Sequence, residues 1–187
     1  MKLSKKAEYG LRAMINMGIA LELGHERVSA SDLAACDNLP LKFVEQILGE
    51  LRASGYVETR RGRFGGYFIS RPVETIHVGD LVRLLDGPLA PISCASQTAY
   101  QPCTCADEEH CGLRMIMIDV RNAISRVLDR YTLADVVGVT LRKIRRDKTS
   151  HYFIKGGGEG SSPPQAPGHD PADPAMGLIA ALLDQSK

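Results

Sequence analysis

The chain has 187 residues, 44% hydrophobic and 24% charged, with a formal net charge of +1. That length suits one domain plus an accessory segment, and the apolar fraction can build a core without disulfide staples. No run of apolar residues is long enough to span a membrane, and the charged start M-K-L-S-K-K-A-E-Y-G is not followed by a cleavable apolar leader, so no membrane partner and no signal peptide are expected and the chain is expected to be cytoplasmic.

Ser4 is the expected N-cap of a first helix with Leu11, Met14, Ile15, Gly18 and Ile19 on its inner face, and Gly24 ends it. Ser29 and Asp32 form a capping-box pair that opens a short helix through Leu33 and Cys36, the latter expected as a small buried apolar residue. Asp37-Asn38-Leu39 predicts a tight turn, and Pro40 suits the first turn of a third helix. That helix is expected to bury Val44, Ile47, Leu48 and Leu51 and to stop at Gly55. Two β-like runs, Y-V-E-T-R at 56–60 and Y-F-I-S at 67–70, flank the basic, glycine-rich R-G-R-F-G-G. A hairpin with Arg61 and Arg63 at its tip follows. Helix, short helix, turn, helix and hairpin is the order of a winged helix-turn-helix, so the predicted class is mainly α with a small β-hairpin wing.

Beyond Pro72, H-V-G-D-L-V-R-L-L-D-G predicts an amphipathic connecting helix ended by Gly87-Pro88. Next, C-A-S-Q-T-A-Y-Q-P-C-T-C-A-D-E-E-H-C places Cys94, Cys103, Cys105 and Cys111 in one loop. From Gly112 onward Leu113, Ile116, Val120, Ile124, Val127 and Tyr131 step by threes and fours along a long helix. A seam of that length on one helix wants a partner, and a second copy of the chain is the simplest one. Residues 133–137 are expected to close the folded part. The basic R-K-I-R-R-D-K at 142–148 and the Gly-, Pro- and Ser-rich stretch after it are expected to form a disordered tail. The resulting division is 1–72 for DNA binding, 73–93 as connector, 94–111 as cysteine loop, 112–137 as dimerisation helix and 138–187 as tail.

In a winged helix-turn-helix the third helix enters the major groove. Its outward face here holds Leu41, Lys42, Glu45, Gln46 and Gly49. Gln46 can pair with adenine, Glu45 can accept from cytosine, and Lys42 can reach guanine or phosphate. A solvated helix face carries similar residues, so the helix alone does not decide. The wing does: Arg60, Arg61 and Arg63 beside Gly62, Gly65 and Gly66 make a cationic tip able to approach a narrow groove or a backbone.

In a reducing cytosol, clustered thiols more often bind metal or do redox work than form bridges. Soft thiolates suit iron–sulfur clusters and zinc. The spacings x₈, x₁ and x₅ contain no pair of zinc knuckles, and a one-residue gap between Cys103 and Cys105 makes a strained disulfide. A cluster therefore ranks before zinc, and zinc before a thiol switch. His110 is expected as a loop-surface histidine. No C-x-x-C in a βαβ pattern, nucleotide fingerprint or Cys–His–acid arrangement points to an enzyme.

Five motifs together carry a resemblance. They are M-K-L-S-K-K-A-E-Y-G-L-R-A at the start, F-V-E-Q-I-L-G-E-L-R-A-S-G-Y-V in the third helix, R-G-R-F-G-G-Y in the wing, V-G-D-L-V-R-L-L-D-G-P-L-A-P before the loop and C-G-L-R opening the long helix. Over its first three-quarters the chain resembles the Rrf-two family of winged-helix regulators, which includes IscR-, NsrR- and RirA-like members. The resemblance implies a homodimer on a pseudo-palindromic double-stranded DNA operator; a repressor is expected, with activation as the open alternative. In cluster-bearing members three cysteines hold a 2Fe–2S or 4Fe–4S cluster that tunes DNA binding in response to iron, cluster status, redox or nitric oxide. By that pattern Cys94 is the first ligand, Cys111 the last and Cys105 the middle one. Cys103 has no counterpart and is a substitute ligand, a fourth ligand or a redox-active neighbour. Some relatives take the remaining ligand from an acidic residue at the place of Glu8. The wing and C-G-L-R lean towards the RirA-like, iron-responsive branch. The alternative is a winged-helix dimer with a structural zinc that acts through protein partners.

Overall fold

The computed structural model describes residues 2–62 and 65–154; Arg63 and Phe64 of the hairpin tip and residues 155–187, which include most of the expected tail, lie outside the described residues. Helix α1 (Lys5–Glu22) starts where the Ser4 hydroxyl accepts from the Ala7 N–H at 3.1 Å, and the chain leaves it through Gly24 at φ +88°. Ser29 and Asp32 close a reciprocal capping box on α2 (Ala30–Asp37), which ends on Asn38 in the left-handed region at φ 52°. Pro40 then leads into α3 (Leu41–Ala53), with Val44, Ile47, Leu48 and Leu51 buried as their spacing predicts.

Strands β1 (Val57–Arg60) and β2 (Gly66–Ile69) form an antiparallel hairpin in which Val57 faces Ile69 and Arg60 faces Gly66. Val28 and Tyr67 exchange backbone hydrogen bonds of 2.9 and 2.8 Å, which stitches the hairpin to the chain entering α2. Three helices follow: α4 (Val78–Asp86), α5 (Gly112–Arg130) and α6 (Leu133–Arg146).

Helix α1 is the hub. Its Met14, Met17, Ile19 and Ala20 are buried in one core with Ile47 and Leu48 of α3, Leu85 of α4, and Leu133, Val137 and Leu141 of α6. Close approach depends on two missing side chains. A Cβ on Gly10 would strike the Leu85 side chain, and one on Gly18 would lie 2.6 Å from Val137 Cγ2.

Two sequence expectations need correction here. The long helix does not run through 112–137: Tyr131 is extended at φ −93° and ψ 131°, where its carbonyl accepts from the Val78 N–H at 2.9 Å. The fold also does not close at 137. Thr132 and Asp135 form a second capping box, from which Leu133, Val137 and Leu141 descend onto α1 at four-residue steps. The basic run at 142–148 is therefore largely the last turn of α6, not part of a tail. Beyond it a short 3-10 turn, Tyr152–Ile154, returns to the core and buries Phe153.

Candidate functional site

The stripe formed by Leu41, Lys42, Glu45 and Gln46 is exposed on α3, opposite its buried face, and a Cβ on Gly49 would meet open space. Leu41 keeps 43% of its surface in water at the end of the helix that would enter a groove. An apolar side chain at such a place can meet a thymine methyl, and amide and charged side chains of this kind are chemically able to pair with base edges or phosphate. No carboxylate occupies the first turn of α3, so the positive end of its dipole is uncompensated by an acidic side chain.

In the wing, Arg60 and Arg61 are exposed, and the Arg60 guanidinium lies 5.7 Å from the centre of the Phe68 ring. The turn closes on glycine: the Gly65 N–H donates to the Gly62 carbonyl at 2.8 Å, and a Cβ on Gly65 would sit 2.5 Å from the Arg60 carbonyl. Gly62 itself is left-handed at φ +111°. Gly65 thus shapes the tip that presents the arginines; Arg63 lies outside the described residues.

The cysteine loop begins in a 3-10 turn, Ser93–Ala95, that buries Cys94. Cys103 and Cys111 are half-buried and Cys105 is exposed. Burial raises the Cys94 thiol, with Cys103 adding to the shift. Hydrogen bonding and charge interaction with Cys103 push Cys105 up to about 11, and Cys111 adds to it. The thiols thus influence one another in chain order, Cys94 with Cys103, Cys103 with Cys105 and Cys105 with Cys111. So raised, Cys94 and Cys105 are poor nucleophiles at neutral pH, and a metal would have to displace their protons.

Three side chains that sequence reasoning did not single out hold this loop. Glu108 accepts from the Cys103 thiol at 3.7 Å and the Tyr100 hydroxyl at 2.9 Å, and pairs with Arg114 at 3.2 Å. Arg114 also donates to the Cys94 carbonyl at 3.0 Å, and Arg121 donates to the Ala95 carbonyl. The usable signals were a glutamate three residues before Cys111 and two arginines seven apart, hence on one face of α5.

By donor chemistry the loop fits an iron–sulfur centre: four soft thiols in one polar segment of eighteen residues. Among the described residues, however, no three His, Cys, Asp or Glu side chains are placed to hold one metal ion, so the thiols would have to draw together on loading. Glu8 is not gathered into such a group. Its carboxylate pairs with Lys5 at 2.8 Å and Arg12 at 2.7 Å, and the Lys5 hydrogen bond leads in holding its pKa below the ordinary value. His110 is exposed and pairs with Asp107 at 2.8 Å. Cys36 is half-buried, its thiol pushed up to about 12 by burial and by Asp37, which leaves it inert.

Helix α5 buries none of its residues, and Leu113, Met115, Ile116, Val120 and Val127 stand exposed along it. On its other side Asp129 binds Arg83 of α4 through two hydrogen bonds of 2.7 and 2.6 Å. No helix among the described residues is long and apolar enough to cross a membrane.

Comparison with known proteins is consistent with this geometry. The model of the Rrf2 family, described as iron-dependent transcriptional regulators, matches residues 3–138. A putative HTH-type transcriptional regulator, rrf2-like, of Rhodobacter capsulatus is 34% identical over 137 residues, covering 72% of this chain and 91% of the relative. The HTH-type transcriptional regulator NsrR of Geobacillus kaustophilus is 31% identical over 150 residues, covering 79% and 99%. Among solved structures, CymR, the global cysteine regulator of B. subtilis, aligns with a TM-score of 0.60 at 32% identity over 74% of this chain and 97% of its own. IscR of T. potens aligns with a TM-score of 0.58 at 27% identity over 83% and 96%. These proteins are regulators, not enzymes, and the chain belongs to the Rrf2 family of winged-helix, DNA-binding transcriptional regulators.

Proposed function

We propose that this chain is a homodimeric repressor whose operator affinity is controlled by an iron–sulfur cluster held in the 94–111 loop. Cys94, Cys105 and Cys111 are the proposed ligands, with Cys103 as the substitute or fourth thiol and Glu8 as the acidic candidate. The observation that carries the reading is a loop of four cysteines tied by Arg114 and Arg121 to a helix whose apolar stripe is bare. Family membership alone does not choose the signal, because the family model is of iron-dependent regulators while CymR is named for cysteine.

When bound, such a cluster supplies an iron centre sensitive to iron supply, redox state and nitric oxide. The protein's own residues do the rest. Glu108, Arg114 and Arg121 fix the loop on α5. The Arg83–Asp129 pair joins α5 to α4, and Leu85 of α4 lies against Gly10 of α1, next to Ile47 of α3. With α5 pairing against its copy, the loop's position bears on the separation of two recognition helices. Half-site spacing follows the turn of the double helix, so a small shift costs affinity.

The test is anaerobic purification, an absorption spectrum, iron and sulfide analysis, and titration of an operator selected from a random-sequence DNA pool. The expected result is a coloured dimer whose Cys94→Ala and Cys111→Ala variants lose iron and bind DNA independently of iron supply. Colourless protein containing zinc, with unchanged operator binding, points instead to a structural metal site. Iron-loaded and iron-free protein of equal affinity would refute the control.

A further inference from the structure

The basic end of α6 takes no part in the proposed cluster control. Leu133, Val137 and Leu141 face the core, while Arg142 and Arg145 project to solvent, and Lys148 is exposed just beyond. Among the described residues none of these three has an acidic partner at ion-pair distance; the neighbouring Asp147 is taken by Arg146 at 2.7 Å. Three cations within seven residues that lack an acidic partner among the described residues stand out in a chain with 22 acidic residues against 23 basic ones.

The chain after them is pinned to the helix-turn-helix. Lys148 turns at φ 51°, and Phe153 is buried, with its ring 5.2 Å from that of Tyr152 and 5.9 Å from His25. His25 Nε2 donates to the Phe153 carbonyl at 3.2 Å. The Tyr152 hydroxyl donates to Asp32 Oδ1 at 3.0 Å, and Asp32 is the capping-box carboxylate in the first turn of α2. In a helix-turn-helix the helix before the recognition helix crosses the phosphate backbone. The anchor therefore holds Lys148 four residues of chain, and the end of α6 six, from the helix turn that in this fold class crosses the phosphate backbone.

We propose that Arg142, Arg145 and Lys148 form a third DNA contact, to backbone phosphates flanking each half-site, and that Tyr152 and Phe153 position it. The proposal rests on the DNA-reading role of α3 and the wing and extends the footprint beyond them. It adds affinity without sequence preference, as phosphate contacts do. The competing account is that these cations only offset the negative end of the α6 dipole.

The test uses the full chain and a duplex of about 30 base pairs, three helical turns, carrying a selected operator within mixed sequence. Fluorescence anisotropy across a salt series gives the slope of log K against log [salt]. In the triple variant Arg142→Gln, Arg145→Gln, Lys148→Gln, that slope should flatten by roughly 0.9 for each phosphate no longer neutralised, with base preferences unchanged. Phe153→Ala keeps every cation and should reproduce part of the flattening. Arg60→Gln with Arg61→Gln serves as the wing reference. An unchanged slope in the triple variant beside a flattened one in the wing variant overturns the third contact and leaves the DNA-reading role standing. A lowered melting temperature with wild-type slope in the triple variant also overturns it, in favour of the dipole account. A wild-type protein without salt-dependent DNA binding would sink the underlying role and the contact together. The triple variant, confined to exposed side chains, decides the matter even if Phe153→Ala fails to fold.

Discussion

Gly18→Ala tests whether α6 is part of the folded unit. The new Cβ would lie 2.6 Å from Val137 Cγ2, about 1 Å inside ordinary carbon–carbon separation. Val137 is 3% exposed and β-branched, with essentially one rotamer in a helix, so it cannot swing aside. Overpacking of this kind costs about 1–3 kcal/mol. Against it, alanine is favoured over glycine in a helix interior by about 1 kcal/mol. Gly49→Ala supplies the reference, since its Cβ would meet nothing within 4 Å on the exposed side of α3. The propensity gain is common to both variants, so their difference isolates the clash at about 1–3 kcal/mol. For a domain of this size 1 kcal/mol moves the melting temperature by roughly 2–4 °C. Gly18→Ala should therefore melt about 2–12 °C below Gly49→Ala in circular dichroism scans. Protein concentration must be fixed, because assembly makes the midpoint concentration-dependent. If both variants melt together and above wild type, Val137 does not sit on Gly18 and the fold through α6 is wrong.

Thr132→Ala removes the hydroxyl that caps α6 and should cost about 1 kcal/mol in denaturant titration, without altering the salt slope of DNA binding. Asp129→Asn breaks the two-pronged hold on Arg83; exposure limits the stability loss to about 0–1 kcal/mol, so a change in operator affinity larger than that would identify the α4–α5 joint as a relay. Burial holds the His151 imidazole below its ordinary 6.5, with Asp37 pulling the other way. Because the unfolded chain takes up this proton first, the corresponding stability is whole above pH 6.5 and is lost as pH falls through the depressed folded value. His151→Asn should flatten that part of a melting-temperature profile between pH 8 and 5; an unaltered profile would show that the imidazole stays solvated.

The DNA-binding half is legible in the sequence because its signals are local. Ser4, the Ser29–Asp32 box, Asn38 and Gly55 each mark a boundary through their own backbone or side-chain chemistry. The period of Val44, Ile47, Leu48 and Leu51 also fixes which face of α3 stays outside. Helix α6 is hard to read for a different reason. Its cations at 142–148 suggest a solvated tail, while the decisive features are a threonine–aspartate box and apolar residues, two of which, Leu133 and Val137, face Gly18 more than a hundred residues away. The grip of Glu108 on Cys103 and Tyr100 is harder to read: its place three residues before Cys111 is a signal, but Asp107 and Glu109 on either side dilute it.

In the proposed control, α1 is the element that joins α4 and α6 to the recognition helix. Helix α3 leans on it at Ile47 and Gly10, α4 at the same glycine through Leu85, and α6 at Gly18 through Val137. Glycine contacts of this kind have no slack, because the facing side chain already fills the place of the missing Cβ. Under that proposal a displacement of α4 by the loop and α5 would be passed to α1 at Gly10, and through α1 to α3 and α6. Recognition helix, wing and the basic end of α6 would then shift as one unit relative to the second subunit. Control by half-site spacing requires such a unit, whereas a loose α1 would absorb the displacement before it reached the DNA.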